Sequence, residues 1–185
     1  GYKLVLLNTN VKHSLSESAY NDRRAQCEQG VDWIKAHHPA VEYLRDANEE
    51  MLLEYVQPKS NEVYTKSSFV VAEIARVKKA AKALKDGDLK KLGELMFETH
   101  DGLSKAYEVS CKELDFLVEQ VKGNDAVLGA RMMGGGFGGC TINIVKNEAI
   151  DNLIETVSKS YQEQFGLALS AYVVQTGDGS EIIAP

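Results

Sequence analysis

Cysteine is scarce in this chain, and its pattern excludes two common architectures. The 185 residues hold 3 cysteines, Cys27, Cys111 and Cys140. An odd number, widely spaced and free of any CxxC pair, provides neither a disulfide framework nor a zinc site. The expectation is a reducing, cytoplasmic setting with each thiol acting as a small apolar residue. Proline occurs only 3 times, and Pro39 and Pro58 stand where helices should stop. No apolar run approaches the ~20 residues that a membrane-spanning helix needs, and no signal peptide opens the chain. Positive charge is in deficit as well. Lys and Arg number 21 against 27 Asp and Glu, and the net charge of −6 argues against broad nucleic-acid binding. An initiating methionine is also missing, so the sequence reads as a fragment or a processed chain. What remains is ordinary for a globular protein, with 44% apolar and 26% charged residues, and no low-complexity linker or repeat.

The apolar pattern orders the elements. Tyr2 to Leu7 reads as a buried strand, with Asn8, Thr9 and Asn10 as a polar exit. Serines then offer N-caps for a helix carrying Arg24, Cys27, Val31 and Ile34. A shorter helix is expected over Val41 to Val56. A longer one runs from about Glu62 to Leu84, with Val70, Ile74, Val77, Ala81 and Leu84 on one apolar stripe. Leu89, Leu92, Met96 and Thr99 mark the next helix. Ser110 and Glu113 form a capping box for another, which carries Leu114, Leu117, Val118 and Val121 and closes at Gly123. "AVLGARMM" and "CTINIV" have strand character, and in the second Ile142 and Ile144 alternate with Thr141 and Asn143. An amphipathic helix from Ile150 to Tyr161 and a last strand, "LSAYVVQ", complete the chain. This order matches a split β-α-β, ferredoxin-like α+β fold: an antiparallel sheet with several added helices packed on one face.

One segment departs from this regularity. "RMMGGGFGGC" places five glycines in the six positions Gly134 to Gly139, a third of the 15 in the chain. The dinucleotide pattern G-x-G-x-x-G is satisfied literally, but it requires a helix afterwards and a strand follows. No G-K-[ST] follows for a Walker loop. A protein-kinase glycine loop joins two strands, but no V-A-I-K, H-R-D or D-F-G segment accompanies it. A plain hairpin needs about two glycines for its turn. Five strip nearly every side chain from the loop and let main-chain amides approach a charged partner, as in anion-binding nests.

"GARMMGGGFGGCTINIV" resembles the third signature motif of the GHMP small-molecule kinases in its galactokinase form. "NTNVKHSLSESAYNDRRAQCE" and "GELMFETHDGLSKAYEVSCKELDFLVE" resemble further galactokinase segments in the same order, and together the three cover most of the chain. The resemblance implies that residues 1–185 form the C-terminal domain of a two-domain kinase whose active site lies in the cleft between domains. Such kinases transfer the γ-phosphoryl group of ATP to the anomeric hydroxyl of galactose. The implied partners are galactose and ATP, with Mg2+, held mainly by an N-terminal half. Its sugar-binding signature, its Ser-rich phosphate loop and its catalytic Asp and Arg are absent from these residues. No catalytic residue and no metal ligand is therefore expected here. The resemblance assigns sugar contact to Tyr20, a phenol with apolar area and one polar handle. It assigns support of the phosphate site to Gly134, Gly135, Gly136 and Gly138. Met133 departs from the family's usual Thr or Ser before the glycine triplet.

The remaining polar candidates are weaker. His13 resembles a position near the active-site rim. His37 and His38 end a helix, where an imidazole suits the dipole, and His100 with Asp101 favours structure over acid–base chemistry. Arg23 and Arg24 suit helix-surface ion pairs better than phosphate. The basic run "RVKKAAKALKDGDLKK" reads as a solvated helix face behind the apolar stripe. Three other readings predict different surfaces or activities. A galactokinase-like sensor would bind sugar and ATP but signal through a protein partner, and a kinase for a related sugar would differ in its acceptor. A stand-alone split β-α-β module would show no large exposed apolar face, whereas half of a two-domain kinase would show one.

Overall fold

The computed structural model describes residues 1–12, 16–177 and 179. Four strands, β1 (Tyr2–Lys12), β2 (Val127–Met132), β3 (Gly138–Lys146) and β4 (Ser170–Val174), form one sheet in the order β2-β3-β1-β4. Every neighbouring pair is antiparallel, as a split β-α-β topology requires. The helical block between β1 and β2 comprises α1 (Ser16–Lys35), α2 (Glu49–Tyr55), α3 (Asn61–Lys85), α4 (Leu89–Lys105) and α5 (Lys112–Val121), and α6 (Ile150–Phe165) connects β3 to β4.

β1 runs well past the expected exit. Asn8 pairs with Cys140, and after an irregularity Lys12 pairs with Gly138. The polar residues stay in the strand because their groups are satisfied there. Thr9 is fully buried, and its hydroxyl donates to the carbonyl of Gly139 at 2.9 Å. Asn10, at φ +57°, donates from its amide to the carbonyl of Ala168 at 2.9 Å. The extension carries the chain along the sheet to the glycine hairpin before α1 begins.

The principal core lies between one sheet face and helices α5 and α6. Val5, Leu7, Ala130 and Val145 meet Leu117, Val118, Leu153, Val157 and Tyr161 there. The alternation in β3 sends its polar residues to this side. Thr141 and Asn143 are fully buried, while Ile142 remains partly exposed. Asn143 donates to the carbonyl of Val5 and to the Thr141 hydroxyl, both at 3.0 Å, so most of its polar demand is met internally.

Three further local expectations need correction. The helix expected over Val41 to Val56 is a 3-10 turn at Leu44–Asp46 followed by α2. The Asp46 carboxylate accepts from the amides of Glu42 and Tyr43, and Asn48 in extended backbone caps α2 by accepting from Met51. The Ser110–Glu113 capping box does not form. Cys111 stands at the N-cap of α5 without a side-chain bond, and the Ser110 hydroxyl donates to Asp115 at 2.5 Å instead. The α3 stripe is only half buried. Val77 and Leu84 are each 59% exposed. They face the second side of the sheet across an open groove of about 560 Å³ that Leu4, Ile142 and Ile144 line from below.

α4 is pressed directly onto β2. A Cβ on Gly93 would lie 1.9 Å from the carbonyl oxygen of Leu128, and one on Gly129 would lie 2.3 Å from Gly93 Cα. Glycine at both positions lets the two backbones touch.

Candidate functional site

The glycine loop projects from the end of the β2–β3 hairpin with its tip in solvent. Met133, Gly134 and Gly135 are exposed, and Gly136 and Phe137 are partly covered. Gly134, Gly136, Gly138 and Gly139 all have positive φ, and so does Phe137 at +59°. The amide of Met133 donates to the Cys140 carbonyl at 3.0 Å, which closes the hairpin. The amide of Phe137 donates to the carbonyl of Val109 at 2.8 Å. Gly136 packs under that same carbonyl, for a Cβ there would lie 2.1 Å from it. Phe137 joins a small apolar cluster with Val109, Leu114 and Met132. The loop therefore rests on the connection between α4 and α5 and keeps its two leading glycines free of cover.

Tyr20 stands beside this tip. It lies in the first half of α1, is 54% exposed, and its ring Cδ2 is 3.9 Å from the place a Gly135 Cβ would occupy. The chain arranges this because β1 and the hairpin end at the same edge of the sheet, so that α1 starts next to the loop. Residues more than a hundred positions apart thus meet at one exposed, partly apolar corner. Of the positions singled out by sequence, Tyr20, Gly134 and Gly135 share the exposed corner, Gly136 braces it, and Gly138 is buried at the start of β3. His13 lies outside the described residues.

The other candidates have structural partners. His37 stacks on Tyr55 at a 4.4 Å centroid separation. His100 is buried. Its Nδ1 accepts from the amide of Met132 at 3.2 Å, and its Nε2 lies 3.2 Å from the Asp115 carboxylate. Burial raises the Asp115 pKa, but hydrogen bonds from His100, Ser110 and Ser104 outweigh it and leave the group below its ordinary range. This junction ties α4, α5 and β2 together just before the glycine loop. Arg24 pairs with Glu28 one turn away. The thiols are all free, and burial raises each of them, Cys111 to about 11, which keeps them protonated and unreactive at neutral pH. Among the described residues no group of three or more His, Cys, Asp and Glu side chains suits a metal ion, and no helix is long and apolar enough to cross a membrane.

Sequence reasoning missed the strap Ala106–Val109 under the loop and the two cations that hold it. Arg23 of α1 donates to the Tyr107 carbonyl at 2.6 Å. Lys66 of α3, with only 3% of its side chain exposed, donates to the Ala106 carbonyl at 2.7 Å and pairs with Glu108. A buried lysine inside a helical pattern carries no mark of its partner.

Comparison with known proteins agrees with this architecture. The family described as GHMP kinases C terminal matches residues 80–163. A galactokinase of Thermotoga maritima is 37% identical over 183 residues, 99% of this chain and 50% of its own length. A galactokinase of Clostridium beijerinckii is 41% identical over 184 residues, covering 99% of this chain and 47% of its own. The chain thus spans about half the length of the curated relatives it matches. Among solved structures, Lactococcus lactis galactokinase complexed with galactose superposes with a TM-score of 0.88 and 34% identity, over 97% of this chain and 46% of that one. The L. major mevalonate kinase, at 22% identity and a TM-score of 0.60, shares the fold.

Proposed function

We propose, from the premise that this chain is a GHMP kinase C-terminal domain of the galactokinase type, that it forms one wall of a sugar-kinase active site. The whole protein would transfer the γ-phosphoryl group of ATP to the anomeric hydroxyl of galactose. One observation carries the reading: the Tyr20 ring stands beside an exposed, side-chain-free hairpin tip, 3.9 Å from the Gly135 Cβ direction. A sugar ring resting on the phenol and a phosphate resting against the glycines would share that corner.

Phosphoryl transfer asks a protein mainly for position and charge stabilisation. The residues here supply position. The Tyr20 hydroxyl orients a sugar hydroxyl, while its ring excludes water from one side of the acceptor. Gly134 and Gly135 are exposed and let the main chain approach a triphosphate without side-chain obstruction. When bound, ATP and its magnesium supply the phosphoryl group and charge neutralisation. The loop fits a nucleotide phosphate. Among the described residues no group of three or more His, Cys, Asp and Glu side chains suits a metal ion, and on this proposal the magnesium is held mainly by the rest of the protein.

The open groove supports the same reading. Val77, Leu84, Ile142 and Leu4 line one continuous apolar face, and a sheet face left uncovered by its own helices suits a domain that is completed by further chain.

The test is ATP-dependent formation of galactose 1-phosphate by the full-length protein, beside N-acetylgalactosamine as a competing acceptor. Turnover of galactose is expected, with none from the 185-residue chain alone. Full-length protein that phosphorylates neither sugar would overturn the proposal. Turnover by the 185-residue chain would refute the division of labour.

A further inference from the structure

The support beneath the glycine loop is an unusual piece of backbone. Glu108 has φ +56° and Phe137 has φ +59°. Both are side-chain-bearing residues in the left-handed region, which L-residues adopt at a cost unless their surroundings force it. They sit on either side of one hydrogen bond, from the Phe137 amide to the Val109 carbonyl at 2.8 Å. What forces the strap is visible on its other side. Lys66 reaches from the interior of α3 to the Ala106 carbonyl at 2.7 Å and to the Glu108 carboxylate. Arg23 reaches from α1 to the Tyr107 carbonyl at 2.6 Å, with Nη2 3.6 Å from Glu108. The Tyr107 ring is wedged in place by stacking on Phe69 at 5.1 Å, and its hydroxyl lies 3.7 Å from the Cys27 sulfur. A buried lysine has to be paired, and among the described residues this one pairs with the strap.

We propose that Lys66 and Arg23 are positioning residues for the phosphate site: they clamp the strap Ala106–Val109 in its strained form and thereby set the height of the Gly134–Gly136 loop. Neither touches the corner itself. Lys66 acts through Glu108 and Val109, and Arg23 acts through Tyr107 while standing about one helical turn from Tyr20 on α1. The same helix thus places the sugar-side phenol and fixes the loop opposite it, so the two walls of the corner share one reference. The inference rests on the kinase reading for its kinetic consequence but not for its structural one.

Two measurements on the full-length protein separate these. Hydrogen exchange of the 133–139 segment reads the clamp directly. In Lys66→Met it should speed by about tenfold or more, while the strand segment 140–145 keeps its protection. Galactose phosphorylation reads the consequence. kcat should fall roughly 10- to 100-fold, the scale of a displacement near 1 Å, with KM for galactose within a few-fold. Lys66→Arg, which retains donors for both Ala106 and Glu108, should recover most of the rate. Glu108→Gln, which alters only an exposed side chain, should give a smaller change of the same kind and guards against a variant that fails to fold. Unchanged exchange at 133–139 in both Lys66→Met and Glu108→Gln overturns the clamp, whatever the protein phosphorylates. Faster exchange with an unchanged kcat overturns the positioning role. Faster exchange in the variants, in a protein whose wild type phosphorylates no sugar, upholds the clamp and removes the kinase reading.

Discussion

Replacing Gly136 by alanine should be the most damaging single change in the glycine loop, and its cost can be worked out against a built-in control. Gly136 has φ +91°, and a Cβ there would lie 2.1 Å from the Val109 carbonyl oxygen and 3.0 Å from its carbon. Gly134 has φ +82°, with no atom within 4 Å of its Cβ position. Both substitutions suffer the left-handed backbone penalty of about 1–2 kcal/mol. Only Gly136→Ala must also push a main-chain carbonyl away by about 1 Å, since ordinary contact needs more than 3.0 Å. That movement breaks the Phe137–Val109 hydrogen bond of 2.8 Å, which adds about 0.5–1.5 kcal/mol, with packing of the Phe137 cluster lost besides. The expected totals are about 1–2 kcal/mol for Gly134→Ala and about 2–4 kcal/mol for Gly136→Ala. For a domain of this size each kcal/mol shifts Tm by about 2–4 °C, so the second variant should melt roughly 5–15 °C below wild type. Urea titration with unchanged m-values gives the difference between the two. Equal destabilisation would refute the close approach of strap and loop, and with it the reason for glycine at position 136.

Three further changes probe separate features. Tyr20→Phe in the full-length protein removes one exposed hydroxyl, so Tm should stay within a degree or two while KM for galactose rises roughly 2- to 10-fold, the value of one hydrogen bond. An unchanged KM would take Tyr20 out of the sugar site. Asp115→Asn weakens the junction with His100, Ser104 and Ser110. The carboxyl is held below its ordinary range, so its contribution is present above the unfolded-state pKa near ~3.9 and fades as pH falls through the lower folded value. The variant should be less stable at pH 7, and the gap should narrow below about pH 4. A gap that widens on acidification contradicts the sign. Gly93→Ala would gain about 1 kcal/mol from helix propensity alone, yet its Cβ would lie 1.9 Å from the Leu128 carbonyl oxygen. Net destabilisation is expected in thermal melts, and a stabilised variant would show that α4 does not press on β2.

The topology was legible because its signals are local. Each strand carries a short apolar run, α6 shows a clean stripe from Ile150 through Tyr161, and the glycines at 134 to 139 announce a hairpin by composition. The pairing of Tyr20 with that hairpin came from family resemblance; composition alone would have left Tyr20 a surface aromatic. Three things stayed hidden for identifiable reasons. The Asn8–Asn10 stretch reads as an exit because its polarity is visible and its partners, the carbonyls of Gly139 and Ala168, are not. Ser110 and Glu113 match a capping box by spacing, but Asp115 competes for the serine hydroxyl. Lys66 occupies a helix position whose neighbours Val63 and Ser67 are buried, and nothing in its own segment reports a carboxylate 42 residues later.

The α3 stripe shows how such a pattern can be right about amphipathicity and wrong about burial. Val77, Ala81 and Leu84 are apolar for a reason, yet α3 does not press them onto the sheet. The sheet shows the matching inversion. Its covered face buries Thr9, Thr141 and Asn143, while its uncovered face carries Leu4, Leu6 and Ile142 in partly exposed positions and Tyr172 at 51% exposure. A freely standing α+β domain arranges these the other way, with its polar residues toward water. Buried polar groups are tolerable because Asn143 and Thr9 find internal partners. Exposed apolar groups have no such local compensation, and only removal from water relieves them. On the proposed two-domain reading, the inversion would be relieved by a contact from outside the described residues, on the side of the groove that Gly134 borders. A layer packed there would reach the edge of the glycine loop, so the surface that completes the fold and the groups that complete the site would come from the same place.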